Sequence, residues 1–363
     1  MKKQKLGIIL AAGRNSRLYP ESFYLPKAFA TVYNRPAIYY AIAQLFACGV
    51  NLITIVCNEN DRDLFEKLTN KFNNGKVKIS VATQAEPKGP IDALDIGFTH
   101  SCKEFKLGDC KNSNVDNVYL YFADNVFTCA ASVIPRAIKD SVDKDPIITL
   151  ITIKSNDIEK FGCLYKLIYT NEDGSTTSKY EVVEKPSPSM YSQYNPNPNP
   201  LKELKGIITG FYVYSNKDNR FCNNLSIIKA MSIPNYTRNI TDFNELFIDD
   251  INDKGESINI IDLSPMGIPF PMQHAKKWFD IGTGAGLASA SSAVMEFENS
   301  LMPIMKRLPG YPEIEGLIAG FYDINKDVDG VFKDVYDENY SSLDYIFHVN
   351  EAIRTYKEFK PSF

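Results

Sequence analysis

The chain has 363 residues and a formal net charge of −4, and 44% of its residues are hydrophobic while 23% are charged. That length predicts about two domains, the weakly acidic balance excludes a general nucleic-acid-binding surface, and apolar runs this short exclude a membrane-spanning helix. The seven cysteines are scattered and include no Cys-x-x-Cys pair, so we expect reduced thiols in the cytoplasm rather than a disulfide framework or a zinc site.

Strands and helices alternate along the first part of the chain. Short apolar runs predict buried strands at residues 6–10, 52–56, 77–82 and 118–125. Helix-period runs between them predict one helix that ends near Gly49 and another over residues 61–70. The Lys-, Asn- and Asp-rich stretch over 101–117 predicts a surface loop. This alternation predicts a largely parallel sheet with helices on both faces.

The pattern changes at about residue 146, where strands and turns replace the alternation. Strand-like runs follow one another at 147–153, 159–164, 180–183 and 206–214. The Pro-, Asn- and Ser-rich stretch over 187–200 predicts a loop. Thr241 is suited to cap a helix over 242–249. Beyond residue 290 the tail contains helical patches, which predicts an accessory or oligomerisation region.

The first strand ends at Leu10 in a turn of small residues, Ala11-Ala12-Gly13. Without bulky side chains, the backbone N–H groups of such a turn can face outward and cradle an anion. Arg17 and Lys27 bring two cations to the same end of the strand. The stretch suits a polyphosphate, although an ordinary strand-to-loop turn with solvated cations is the alternative interpretation.

Further polar residues stand where predicted strands end. The fourth strand ends at Asp124-Asn125, and the carboxyl ends of parallel strands line the ligand crevice of open α/β sheets. A loop carrying Gln84 and Gly89 follows the third strand, and Glu184-Lys185 follows a later one. From these residues alone, the alternative interpretations are a helix cap for Asp124, a connecting loop for Gln84 and Gly89, and a solvated surface pair for Glu184-Lys185.

Taken together, these segments resemble the sugar-1-phosphate nucleotidylyltransferases. The family signature is matched at Leu10, Ala12, Gly13, Arg17, Leu18, Pro20, Pro26 and Lys27, with Asn15 where the second glycine usually stands. Further segments resemble the family's base-reading Gln-to-Gly loop, its Gly-Asp-Asn (here Ala123-Asp124-Asn125), its Glu-Lys-Pro and its Trp-x-Asp-x-Gly-Thr over 278–283. The resemblance runs in the family's order from about residue 6 to 290. Residues 33–40 and 240–244 are most similar to the glucose-1-phosphate thymidylyltransferase branch.

The resemblance implies a fold and a division of the chain. The fold is a three-layer Rossmann-like α/β sandwich around a predominantly parallel mixed sheet, followed by a mostly helical C-terminal extension. A nucleotidylyltransferase domain would span 1–290, with a nucleotide-binding part over about 1–145 and a sugar-phosphate-binding part over about 146–290. The accessory region would span 291–363.

The resemblance also implies roles for particular residues. Those implied to bind the nucleotide are Leu10, Ala12, Gly13, Gln84 and Gly89. Those implied to bind the sugar phosphate are Asn125, Gly162, Glu184, Lys185 and Arg238. The implied catalytic cations are Arg17, Lys27 and Lys185. Asp124 and Asp280 are the implied ligands of Mg²⁺, an ion that prefers hard oxygen donors.

The implied reaction joins a sugar 1-phosphate, with glucose 1-phosphate favoured, to a pyrimidine nucleoside triphosphate and releases pyrophosphate. The sugar-phosphate oxygen is already anionic at neutral pH, so no general base is needed. This agrees with the three histidines, which stand in no constellation with acidic, serine or cysteine residues. Catalysis would then consist of positioning and charge neutralisation for an in-line attack at the α-phosphorus.

Two kinds of alternative remain open. Within the class, the thymidylyltransferase-like segments favour dTTP, but UTP or CTP is the alternative because glutamine and glycine contacts read pyrimidine edges generally. In another class, the protein would be a non-catalytic sugar-nucleotide-binding regulator. Asn15 and Ala123, which replace family glycines, favour that reading, whereas the complete set of cations and carboxylates argues against it. We expect a homo-oligomer, with no nucleic-acid or membrane partner.

Overall fold

The computed structural model describes residues 3–13, 18, 26–33, 35–72, 77–109, 113–127, 134, 137–141, 144–187, 199–231, 239–264 and 278–296. The strands are β1 (Gln4–Leu10), β2 (Thr31–Val32), β3 (Arg35–Pro36), β4 (Leu52–Asn58), β5 (Lys78–Gln84), β6 (Val115–Phe122), β7 (Asn125–Phe127), β8 (Ile148–Ile153), β9 (Gly162–Thr170), β10 (Thr176–Glu184), β11 (Leu201–Ser215), β12 (Ile258–Asp262) and β13 (Trp278–Asp280). The α-helices are α1 (Ala37–Ala47), α2 (Arg62–Phe72), α3 (Pro90–Glu104), α4 (Arg220–Ala230), α5 (Ile240–Lys254) and α6 (Gly284–Glu296).

A mixed sheet occupies the centre of the molecule, with the strand order β10-β9-β11-β6-β1-β4-β5. Strands β6, β1, β4 and β5 run parallel to one another, whereas β11 runs antiparallel to β6, β8 and β9. The long strand β11 therefore joins a parallel half, formed early in the chain, to an antiparallel half formed later. Strand β8 also pairs with β12 in parallel.

The buried strands form because their residues are apolar on both faces, as central strands covered by helices require. In β1, Leu6 and Ile8 pack into one hydrophobic cluster with α3, α4 and α5. Ile9 faces the other way and packs with α1 and α2. The predicted α/β fold, with a mixed central sheet and helices on both faces, is confirmed.

A third, smaller cluster packs the end of the described chain against β2, α1 and the separate two-stranded sheet formed by β7 and β13. Val126 of β7, Phe279 of β13 and Ala290 of α6 are buried together in it. Helix α6 therefore crosses the predicted boundary at residue 290 as one continuous helix, and the division into domains stays a prediction. Residues 297–363, where the accessory region is predicted, lie outside the described part of the chain.

Two local predictions were wrong. The stretch over 101–117 is not one surface loop: α3 continues to Glu104 with Ser101 fully buried, and β6 begins at Val115. Thr241 does not cap its helix, because Asn239 and Asp242 form a capping box one residue before α5 begins. In the first place contacts with distant residues override the local composition, and in the second a neighbouring residue takes the capping position. Among the described residues, no helix is long and apolar enough to cross a membrane.

Candidate active site

A cavity of about 570 Å³ lies where the parallel strands end. The carboxyl ends of β1, β5 and β6 open into it, as expected for an open α/β sheet. Its lining residues are Leu10, Ala11, Ala12, Gly13, Lys27, Ala28, Gln84, Pro87, Gly89, Pro90, Ala93, Phe122, Ala123 and Asp124. All five residues predicted to bind the nucleotide therefore share one cavity with Lys27 and Asp124.

Gln84 is held rigidly at one wall of this cavity. Its side chain is only 4% exposed, and its amide nitrogen donates to Asp92 Oδ2 at 2.6 Å and to the Gly89 carbonyl oxygen at 3.3 Å. Gly89 has φ +98° and directly precedes Pro90, the first residue of α3. That backbone conformation favours glycine. Because the amide nitrogen is engaged, the amide oxygen is the group that Gln84 can offer to a ligand.

Lys27 and Asp124, which also line the cavity, form an ion pair. Lys27 opens a short 3-10 turn, Lys27–Phe29, that is anchored by the buried Ala28 and Phe29. Asp124 lies in the turn between β6 and β7, two residues after Phe122 and directly before Asn125, so the two strands fix its position. Both charged side chains are partly exposed, at 20% for Lys27 and 27% for Asp124, and ligands can therefore reach them.

The second predicted metal ligand, Asp280, comes from a segment much later in the chain. Strand β13 pairs antiparallel with β7 and places Asp280 opposite Asn125, and the Ile281 N–H donates to the Asp124 carbonyl oxygen at 2.9 Å. The Asp280 Oδ1 accepts the Gly282 N–H at 2.8 Å. A Cβ placed on Gly282 would stand 2.7 Å from Lys27 Nζ and 2.8 Å from Asp280 Oδ1. Asp280 therefore lies beside the Lys27–Asp124 pair.

Asn125 ties these elements together through its buried amide. Its Nδ2 donates to Asp124 Oδ1 at 2.8 Å, and its Oδ1 accepts from Trp278 Nε1 at 2.5 Å and from the Gly210 N–H at 3.0 Å. A Cβ on Gly210 would come within 2.5 Å of the Asn125 amide, so only glycine allows this approach without displacement. Asn125, predicted to bind the sugar phosphate, thus orients a predicted metal ligand.

The residues predicted on the sugar-phosphate side meet at the end of β10. Glu184 Oε2 accepts from the Thr241 hydroxyl at 2.5 Å, and Glu184 Oε1 lies 3.2 Å from Lys185 Nζ. A Cβ on Gly162 would stand 3.0 Å from Thr241 Oγ1 and 3.4 Å from Glu184 Oε2. The missing side chain of Gly162 therefore leaves room beside the carboxylate, and Lys185 is 57% exposed and available to solution.

Aromatic residues connect the two sides. Phe161 packs edge-on against Trp278 with ring centroids 5.1 Å apart, and Trp278 also bonds to Asn125. Phe122, in the cavity wall, packs edge-on against Tyr212 at 6.1 Å. Burial raises the pKa of Tyr212, and the negative charges of Glu184 and Asp124 raise it further. Its phenol therefore stays neutral, close to carboxylates from both sides.

Known proteins are similar to this chain over most of its length. A family model described as nucleotidyl transferase matches residues 6–296. The chain belongs to the nucleotidyl transferase family. A glucose-1-phosphate thymidylyltransferase of Neisseria meningitidis is 25% identical over 293 residues, covering 81% of this chain and 83% of the relative. One from Xanthomonas campestris pv. campestris is 26% identical, covering 80% of this chain and 81% of the relative.

A solved structure shares the fold of this nucleotidyl transferase. It is a Bacillus anthracis chain, described as a glucose-1-phosphate thymidylyltransferase in complex with a sucrose, with a TM-score of 0.54 and 22% identity. The match covers 80% of this chain and 95% of that chain. At this identity the likeness shows the fold alone.

The described residues of this nucleotidyl transferase bring most of the predicted site together, whereas Arg17 and Arg238 lie outside them. Sequence reasoning missed the parts played by Thr241, Gly210 and Tyr212. Gly210 and Tyr212 lie in the predicted strand over 206–214, and that strand pattern assigns neither of them a role at the site. Thr241 was visible as a polar residue at a helix start, but its contact with Glu184, 57 positions away, is not encoded locally.

Proposed function

We propose that this protein transfers a nucleotidyl group from a pyrimidine nucleoside triphosphate to a sugar 1-phosphate and releases pyrophosphate. Glucose 1-phosphate and dTTP are the favoured substrates, and UTP is the next candidate. The observation that carries the proposal is the shared junction at Trp278. That residue packs on Phe161, whose carbonyl oxygen accepts from the Lys185 N–H next to Glu184. It also bonds to Asn125, which holds Asp124 in the strand-end cavity.

The two carboxylates suit a divalent metal ion. Mg²⁺ is commonly held by one or two carboxylates together with substrate phosphates rather than by a full set of protein ligands. Asp280, at the end of β13, and Asp124, directly before the paired strand β7, supply two hard oxygen donors. Across the described residues no cluster of three or more His, Cys, Asp or Glu side chains is placed to hold a metal, which agrees with phosphates completing the site. Mg²⁺ held there would neutralise charge on the α-phosphate.

The protein's own groups would position an in-line displacement. Lys27, and Arg17 if it lies as the family signature implies, would bind the triphosphate and the departing pyrophosphate. Lys185 would hold the sugar phosphate while Glu184 accepts hydrogen bonds from sugar hydroxyls. A sugar-phosphate oxygen then bonds to the α-phosphorus as the bond to pyrophosphate breaks. The protein needs only to orient the reactants and offset charge.

The orientation of Gln84 favours uracil or thymine over cytosine. Its amide nitrogen is engaged by Asp92 and Gly89, so its oxygen remains as an acceptor. Uracil and thymine carry an N–H at ring position 3 that can donate to this oxygen, whereas cytosine has an acceptor nitrogen there. CTP is therefore the weaker candidate.

The test is pyrophosphate release with glucose 1-phosphate and Mg²⁺, offering dTTP, UTP, CTP, ATP and GTP separately. We expect a dTTP or UTP signal that disappears in Asp124→Asn. Activity with CTP alone would contradict the argument from Gln84. Silence with every nucleotide, together with binding of a sugar nucleotide, would instead support the non-catalytic regulator. Silence without binding would require other sugar phosphates to be offered.

A further inference from the structure

The Lys27 ammonium lies against the carboxylate pair that is suited to a metal ion. It forms an ion pair with Asp124. It also lies, with Asp280 Oδ1, within 2.8 Å of the point where a Cβ on Gly282 would stand. A lysine ammonium is a compact cation with three N–H donors and can serve two carboxylates at once. The pair is therefore already neutralised in part by a side chain of the protein itself.

Both carboxylates are held in place independently of Lys27. Asn125 Nδ2 donates to Asp124 Oδ1, and the Gly282 N–H donates to Asp280 Oδ1. The backbone of Lys27 is fixed by the buried residues that follow it, but its four-carbon side chain can pivot. Moving the ammonium would break its ion pair with Asp124, but it needs no movement of the backbone and leaves the other contacts of the carboxylates in place.

We propose that Lys27 occupies the Asp124–Asp280 pair in the free protein and blocks divalent metal ions until a nucleoside triphosphate binds. This inference rests on the proposed function. An ammonium and a divalent cation repel each other strongly at such short range in a partly buried site. The triphosphate offers the ammonium a new anionic partner and supplies further oxygen ligands for the metal. One lysine would thereby make metal binding depend on the nucleotide.

The experiment titrates Mn²⁺ alone, without nucleotide, into the full-length protein and follows intrinsic fluorescence. The chain contains a single tryptophan, and Trp278 bonds to Asn125, which bonds to Asp124. Paramagnetic Mn²⁺ bound at Asp124 and Asp280 should therefore quench the fluorescence of Trp278. Because the neutral side chain no longer repels the metal ion or competes for the carboxylates, we expect Mn²⁺ to bind Lys27→Met at least about tenfold more tightly than wild type.

Three control variants make the comparison specific. Lys27→Arg keeps a cation and should bind Mn²⁺ as weakly as wild type. Asp124→Asn should lose the tight binding when combined with Lys27→Met. Lys229→Met removes a lysine from another lysine–aspartate pair, with Asp95, outside the cavity, and should leave Mn²⁺ affinity unchanged. Lys27→Gln provides a second neutral replacement in case Lys27→Met does not fold by circular dichroism.

The outcomes separate this inference from the proposed function. Equal Mn²⁺ affinity in wild type and in the folded neutral variants would overturn it, even if wild type releases pyrophosphate normally. An absence of Mn²⁺ binding to the folded neutral variants would overturn it as well. Tighter binding to those variants would support it, and if wild type were then inactive with every nucleotide, only the proposed function would fail.

Discussion

The nucleotide side and the sugar side of the candidate site are built in different ways. The nucleotide side is a cavity at the ends of parallel strands, lined largely by apolar and small residues of strand ends and loops. The sugar side consists of Gly162, Glu184, Lys185 and Thr241, which come from β9, the end of β10 and α5. The first relies on the backbone of short continuous segments, whereas the second relies on side-chain contacts between distant elements.

Because of this difference, amino-acid substitutions on the two sides should affect activity in different ways. On the nucleotide side we expect most substitutions to act through shape, and Lys27 and Asp124 are the charged groups that we propose to carry the chemistry. On the sugar side the Glu184 carboxylate is held by the hydroxyl of the buried Thr241 and by the exposed Lys185. Asn125 and Trp278 connect the two sides. Trp278 packs against Phe161 next to the sugar side and bonds to Asn125, which in turn bonds to Asp124 on the nucleotide side. Substitutions on each side and at the junction should therefore have distinguishable kinetic signatures.

The largest effect is expected from Asp124→Asn. The substitution removes one of two anionic ligands while preserving side-chain shape, so pyrophosphate release should fall by roughly 10²–10³ or more, the range seen when one electrostatic group is removed from an active site. Thermal unfolding should remain near that of wild type. Asp95→Asn, which alters an exposed lysine pair elsewhere, is the matched control. Near-normal turnover in Asp124→Asn would remove the basis for placing the metal here.

Asn125→Leu should weaken both sides at once. Leucine has a similar volume but leaves the Trp278 and Gly210 N–H groups without their acceptor, and each buried unpaired donor costs about 1–3 kcal/mol. We expect a lower melting temperature and a turnover reduced by about 10- to 100-fold, as for groups that orient metal ligands. The kinetic readout separates the two ideas about Asn125. A raised KM for the sugar phosphate with unchanged kcat would indicate direct sugar contact instead.

Thr241→Val should affect the sugar side alone. The substitution removes the hydroxyl that donates to Glu184, and hydrogen bonds to charged groups contribute about 1.5–3 kcal/mol. The KM for the sugar phosphate should therefore rise by about tenfold or more, while the KM for the nucleotide stays constant. Thr241→Ser should restore the wild-type value.

Thr54→Val is the matched control for that prediction. Thr54 is a fully buried threonine in the parallel half, and its hydroxyl contacts Ser80 and Ser101. It should lower thermal stability without changing the KM for the sugar phosphate. A similar rise in this KM in both valine variants would show that general destabilisation, rather than the Glu184 contact, is responsible.

The smallest expected effect is a difference in labelling rate between two buried cysteines, Cys57 in the parallel half of the central sheet and Cys163 in the antiparallel half. Burial raises the pKa of both Cys57 and Cys163 to about 12, so at pH 8 both thiols stay protonated and react slowly with iodoacetamide. Labelling should accelerate as the pH rises toward 12, because the reactive thiolate then becomes populated. Cys163 should label faster than Cys57, because the neighbouring edge strand β10 is mostly exposed while β5 is mostly buried. Peptide mass mapping of timed samples would reveal the reverse order if the parallel half opened first.

Most of the fold was predictable because its signals are local. Strand β1 is continuously apolar and its small-residue turn follows directly, so both could be placed from the sequence. Gln84 and Gly89 lie five positions apart in one loop, and the cavity contains both. The stretch over 101–117 was predicted wrongly because its polar composition concealed Ser101 and Cys102, which are buried by residues from other elements.

The amino-acid sequence alone determined which segments become buried strands, where the strand-end turns lie and which charged residues follow them, since these depend on short-range patterns of apolar and small side chains. Only the tertiary structure decided that Lys27 meets Asp124 across 97 positions, that Trp278 meets Asn125 across 153, and that Thr241 serves Glu184 instead of capping its helix. Such contacts depend on strand order and helix packing. No local pattern encodes them, because they arise only when distant segments fold against one another.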